Sequence, residues 1–218
     1  MTSKHEWFLK AESELRCELT PASATNSDSS PFIVKLVEGN AEVFGIELAQ
    51  NKEYSFREDS FAVFTWYGCK LETSGEAVST YVSDKTPMIA YVNTHAQLEA
   101  RRDVALANSD EGPRVLIVGS VDQGKSSLSK ILASYAVRLD RTPVYVDLDV
   151  GQGALSIPGT ICAVPLDKTC LAVEVTEQCP PNLPFPKAYS RNPSLPETLW
   201  STSSAMSALR KTSHCFRN

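Results

Sequence analysis

The chain has 218 residues, of which 42% are hydrophobic and 22% charged, and it carries a net charge of −5. Those proportions exclude wholesale disorder and leave room for one or two domains. The negative balance excludes a broad electrostatic attraction to nucleic acid, so any RNA would have to meet a local basic site.

The start, MTSKHEWFLKAESELR, lacks the apolar core of a secretory leader, and no run of about 18 apolar residues follows. A cytosolic or nuclear protein without membrane partners is expected. Six scattered cysteines form no C-x-x-C pair, which predicts reduced thiols rather than a zinc site. His5, His95 and His214 share no ligand spacing.

From the N-terminus to residue 93, short β-branched and aromatic runs such as FIVKLV, KEYSFRE, FAVFTWYGC and STYVSD alternate with turn signals such as EGN and SGE. This pattern predicts a small antiparallel β domain. Trp66 and Tyr67 are expected in its core or at a domain interface. The segment 94–112 reads as a helical linker, with Thr94 and Gln97 as a capping box and His95 as a surface residue at the helix start. Arg101 and Arg102 read as a solvated face of that helix.

Residues 113–177 read as part of a P-loop domain with a doubly wound parallel sheet. RVLIVG, from Arg114 to Gly119, is predicted to be a strand buried on both faces. Leu128, Ile131, Leu132, Tyr135 and Leu139 then recur at helical spacing. VYVDLDV is expected as a second strand and TCLAVEV as a third. The remainder, 178–218, holds six of the thirteen prolines, with five basic residues against one acidic. It reads as a poorly ordered tail.

Between the first predicted strand and the helix lies GSVDQGKS, Gly119 to Ser126, which satisfies G-x-x-x-x-G-K-[ST]. In such a loop successive backbone N–H groups point at phosphate oxygens. Lys125 reaches the terminal phosphates, and the Ser126 hydroxyl is a Mg²⁺ ligand. In VYVDLDVGQG, Asp147 and Asp149 alternate, which predicts one shared strand face. Asp149, nearer the carboxyl end, suits contact with Mg²⁺-bound water or acceptance of a proton from an attacking hydroxyl. Asp147 fits either a metal-linked role or a structural one, capping a neighbouring loop, and Gln152 could orient the acceptor.

Taken with these motifs, EVFGIEL, AVFTWYGC, TPMIAYVNTHAQLE, GPRVLIVGSVDQGKSSL and VYVDLDVGQGALSIPGT closely resemble the Clp subunit family of the eukaryotic pre-mRNA cleavage and polyadenylation machinery, relatives of polynucleotide 5′-hydroxyl kinases. The resemblance runs from about residue 7 to 175. It implies a nuclear protein that binds ATP and Mg²⁺ and acts on RNA 5′ ends. The implied partners are other subunits of the cleavage complex and the tRNA splicing endonuclease. Carried over by position, Asp122, Gln123, Gly124, Lys125, Ser126 and Ser127 contact ATP, and Asp149 is the proposed base. Glu14, in an E-x-E-L-R stretch, matches a family nucleotide contact on the β domain. Ser60 stands where the family places a lysine.

The family's lid, RNA-clasping aromatic and C-terminal domain have no counterpart after residue 175, and the chain reads as a truncated or mis-spliced product. Two functions follow: an ATP-dependent RNA 5′-hydroxyl kinase, or an ATP-binding scaffold of the processing complex. A GTPase is disfavoured because no N-K-x-D motif is present.

Overall fold

The computed structural model describes residues 4–19, 31–56, 60–149, 160–168, 173 and 189–190. Nine strands come first: β1 (Lys4–Leu9), β2 (Ser13–Glu18), β3 (Phe32–Gly39), β4 (Glu42–Val43), β5 (Ile46–Glu47), β6 (Glu53–Phe56), β7 (Phe61–Thr65), β8 (Cys69–Ser74) and β9 (Ser79–Ser83). They form two sheets, ordered β1-β8-β3-β6 and β5-β4-β7-β2-β9. Every pairing within both sheets is antiparallel.

Alternation is what closes this sandwich. Along β3, Phe32, Val34 and Leu36 are buried while Ile33 and Lys35 are only half-buried, the period-two pattern of a sheet with one face on the core. Leu15, Val43, Val63 and Leu71 complete the fully buried centre. Phe56 stacks on Phe61 at 3.9 Å between ring centroids. Trp7 Nε1 donates to Thr73 Oγ1 at 2.9 Å, which satisfies the one polar atom of an otherwise apolar ring.

The run FAVFTWYGC is not one strand. It divides into β7 and β8, which belong to different sheets. The chain turns at Trp66–Gly68, where Gly68 has φ +101, a value that suits a residue without a Cβ. Thr65 Oγ1 fixes the turn by donating to the Asn40 carbonyl at 2.6 Å and accepting from the Gly68 N–H at 3.0 Å.

Helix α1 (Met88–Ala107) starts six residues before the predicted capping box. Thr94 therefore lies inside the helix, where its hydroxyl donates to the Ala90 carbonyl at 2.8 Å. The actual start is marked by Thr86 Oγ1, which accepts from the Met88 N–H at 3.3 Å. His95, expected on the surface, is buried. It lies about two turns past the helix start, on the face that packs against helix α2 (Lys125–Arg138).

The largest departure is at RVLIVG, which forms no strand. Val115, Leu116 and Val118 are 52%, 71% and 81% exposed. A buried parallel strand exists only through neighbours on both sides, and among the described residues no strand pairs with this run. Beyond α2, β10 (Val144–Asp147), β11 (Thr160–Pro165) and β12 (Tyr189–Ser190) form a three-stranded sheet in that order, with β11 and β12 antiparallel. β12 falls in the segment expected to be a poorly ordered tail. Of the predicted strand TCLAVEV, only Val173 lies among the described residues, and Gln152 lies outside them. The chain divides into two compact units, the second of which contains Val146–Ala163.

Candidate phosphate-binding site

GSVDQGKS folds as a tight loop into the first turn of α2. Two residues make the curl. Asp122 has φ +59, and Gly124, the residue capping the helix, has φ +72. The second value is the left-handed conformation that glycine adopts without penalty. Helical bonding starts at once, with the Leu128 N–H donating to the Gly124 carbonyl at 2.9 Å.

Lys125 is the first residue of α2 and folds back across the loop, where its Nζ donates to the Ser120 carbonyl at 2.6 Å. A Cβ at Gly119 would lie 3.7 Å from Lys125 Cδ, an ordinary van der Waals contact, so the lysine stem passes directly beside Gly119. The first turn of α2 contains no acidic residue. Its positive dipole end and free N–H groups are thus uncompensated, the condition for receiving an anion. Gln123 and Ser126 are exposed and Ser127 is half-buried. Ser129 Oγ donates to the Ser126 carbonyl at 2.9 Å and lies 3.0 Å from the Tyr145 hydroxyl.

The remaining predicted site residues lie on other segments of the chain. Glu14 is buried on β2, where its carboxylate accepts from Arg16 Nε and from Thr86 Oγ1, both at 2.7 Å. That hydrogen bond also raises the Arg16 guanidinium above its ordinary value. Ser60 is exposed, just ahead of β7.

Strand β10 ends at Asp147, so Asp147 and Asp149 do not share a strand face. Instead Asp147 Oδ1 accepts from the Asp149 N–H at 3.0 Å, a local turn that a short carboxylate side chain makes readily. Asp149 is exposed.

A second group of residues, not singled out from the sequence, surrounds the far half of α2. Glu42 is buried and accepts from the Tyr135 hydroxyl and from Arg138 Nη1, the latter at 3.0 Å. Arg138 also pairs with Glu47. Burial and the Glu42 carboxylate together push the Tyr135 hydroxyl pKa well up. From α1, His95 packs on the Tyr135 ring at 5.5 Å between centroids, and Glu99 and Asp103 pair with Arg141 at 2.9 and 2.5 Å. Burial lowers the His95 pKa, and the Arg102 and Arg138 charges add to the effect against the opposing Glu99. The one available signal was the pair Phe-Gly in EVFGIEL, a short apolar run broken by a turn residue.

The fold and loop together define a phosphate-loop protein carried on an N-terminal β-sandwich. Residues 8–105 match the N-terminal beta-sandwich domain of polyadenylation factor. Residues 119–195 match the mRNA cleavage and polyadenylation factor CLP1 P-loop. The chain belongs to the Clp1 family of polyadenylation factors.

Among relatives, it is 47% identical over 175 residues to a Protein CLP1 homolog from Brugia malayi, a match covering 78% of this chain and 39% of that one. It is 45% identical over 168 residues to the polyribonucleotide 5′-hydroxyl-kinase Clp1 of Homo sapiens, and equally to that of Bos taurus, covering 77% of this chain and 37% of each. The chain thus spans well under half the length of these curated relatives. Among solved structures it resembles the wild-type Clp1p–Pcf11p complex, with a TM-score of 0.63 and 31% identity over 75% of this chain and 36% of that one. A related structure of the Pcf11p–Clp1p interface, which addresses ATP loss in a glycine-to-arginine point mutant, matches with the same TM-score at 30% identity.

Proposed function

We propose that the chain binds ATP at Gly119–Ser127 and acts as a polynucleotide 5′-hydroxyl kinase of the mRNA 3′-end processing machinery, in the nucleus. The observation that carries this reading is the loop itself. Left-handed Gly124 opens a helix with no acidic residue in its first turn, and Lys125 folds over the loop. The ammonium rests on the Ser120 carbonyl. A terminal phosphate would offer it a stronger, charged acceptor.

By the family resemblance, the Ser126 hydroxyl would be the Mg²⁺ ligand and Asp149 the expected contact of its water. Bound there, the ion would neutralise charge on the phosphates. The chain's own groups supply the rest. Backbone N–H groups of Asp122, Gln123 and Gly124 hold the phosphates, Lys125 balances charge developing on the transferred group, and Ser127 contributes from the first turn. By resemblance, Asp149 accepts the proton as the RNA 5′-hydroxyl attacks in line, and Glu14 and Ser60 approach the nucleotide from the sandwich. The doubly wound parallel sheet belongs to the same proposal. So do the division of the chain at 93, 112 and 177, the RNA 5′ ends, the cleavage-complex subunits and the tRNA splicing endonuclease.

The test is transfer of labelled phosphate from ATP to a 5′-hydroxyl oligoribonucleotide. It should be lost in Lys125→Ala and Asp149→Asn, and equal transfer by the Asp149→Asn protein would sink the assignment of the base. A second reading, an ATP-binding scaffold without turnover, is favoured by the exposed Val115, Leu116 and Val118 and by the likeness to a Clp1p–Pcf11p complex. It predicts that MgATP raises the melting temperature while no phosphate moves.

A further inference from the structure

We infer that the β4–β5 hairpin is a positioning element for the phosphate loop, with Glu42 at its centre, so that nucleotide affinity depends on a contact made on the sandwich. The inference rests on the nucleotide-binding reading above and deepens it.

The hairpin is built to meet α2. Its two turn residues, Phe44 and Gly45, have φ of +49 and +78, the pairing of a two-residue turn that follows the twist of its strands. Gly45 lies so close to the helix that a Cβ would stand 3.2 Å from the Ile131 carbonyl and the Ser134 Cβ, and 3.3 Å from Tyr135 Cδ1. Lys130 Nζ lies 5.1 Å from the centre of the Phe44 ring. Arg138 donates to the Gly45 carbonyl at 3.2 Å as well as to Glu42 and Glu47. The contacts recur on successive turns of α2, down one side of the helix.

Glu42 is the least replaceable part. It is a buried carboxylate whose two oxygens are divided between a neutral and a charged donor, Tyr135 and Arg138. Removing its charge would leave Arg138 with the exposed Glu47 as the one carboxylate it meets on the hairpin, beside the neutral Gly45 carbonyl. From Lys125 to Tyr135 the helix runs about 15 Å at the usual rise per residue. Over that length a helix moves as a rod, and a shift where the hairpin grips it displaces the loop at its head. Glu99 and Asp103 of α1 hold Arg141, just beyond the helix end, while the sandwich holds α2 through Glu42. A loop already in place binds phosphate without first being ordered. By linkage, bound nucleotide must then tighten the hairpin by the factor that the hairpin tightens binding.

The experiment measures MgATP affinity of the 218-residue chain and of Glu42→Gln at a temperature where both are folded. Amide exchange of Ala41–Leu48 is followed alongside, the Leu48 N–H on the Ala41 carbonyl serving as reporter. Glu42→Gln should weaken MgATP about 5- to 10-fold, at the low end of usual site-to-site coupling. Saturating MgATP should slow exchange in the wild-type hairpin by a similar factor and leave the variant's unchanged. Equal affinities with no ATP-dependent change in the hairpin would overturn the inference while leaving the nucleotide site intact. Failure of the wild-type chain to bind MgATP would remove the nucleotide reading and the inference with it. Should Glu42→Gln not fold, Tyr135→Phe, which deletes one hydroxyl and keeps the ring, takes its place with the same expectations.

Discussion

The sandwich and the run before the phosphate loop are made of similar residues but have opposite fates. Val34, Leu36, Val63 and Leu71 are fully buried, whereas Val115, Leu116 and Val118 lie open. The difference is one of partners rather than composition. Each sandwich strand finds its neighbours within the first 83 residues, and its alternating pattern needs cover on one face only. The run at 115–118 is apolar throughout and requires strands on both sides, which the described residues do not provide. A strongly apolar segment thus states what it would bury, not that the burial takes place.

Substitution in the sandwich core should give the largest effect and test its self-sufficiency. Leu71→Ala leaves a cavity at a fully buried position that faces Leu36 and Trp7 across neighbouring strands. A loss of about 2–5 kcal/mol is expected in urea unfolding, and a loss under about 1 kcal/mol would show that the sandwich repacks freely. Next in size is ligand linkage. At 100 times its dissociation constant, MgATP should stabilise the wild-type chain by about 2.7 kcal/mol, and Lys125→Ala should lose most of that gain while keeping its own melting temperature. An undiminished shift in Lys125→Ala would place the nucleotide elsewhere.

Two smaller effects concern helix α2, against which the β4–β5 hairpin and helix α1 pack. Gly45→Ala puts a side chain at φ +78 against the Ile131 carbonyl, and should cost about 1–2 kcal/mol. His95 supplies a pH dependence. Its folded pKa lies below the ordinary value, so the neutral ring is the form that packs on Tyr135. The stability is fully present above the unfolded pKa of about 6.5 and is lost as pH falls below it toward the folded value. His95→Gln should flatten that part of a stability–pH curve measured between neutral and mildly acid conditions, and an unchanged slope would assign it to other groups.

These features were unequally legible in the sequence. The sandwich strands could be read from alternation because the periodicity is local. The phosphate loop could be read because its glycines and lysine are fixed by the backbone curl, and Gly124 is left-handed as that curl requires. The start of α1 was misplaced because a Thr-x-x-Gln pattern inside a helix is indistinguishable from one that begins it. Asp147 and Asp149 were read as one face because alternation was extended past the point where β10 ends. Glu42, Tyr135 and Arg138 were not seen as a group at all. They are more than 90 positions apart across the helix–hairpin contact, and only the folded chain brings a carboxylate on a two-residue strand beneath a helix.

The smallest expected effect separates the two regions most directly. Leu116→Lys alters a residue that is 71% exposed and unpaired in any strand, and should change stability by no more than about 0.5 kcal/mol. Solubility should rise, because one member of an exposed apolar run becomes charged. The equivalent change in one of the longer Clp1 relatives provides the comparison. If the relative loses several kcal/mol while this chain loses none, the run is a strand whose burial depends on neighbouring strands. If this chain is destabilised as strongly as by Leu71→Ala, residues 115–118 are already covered, and the contrast between the two regions fails.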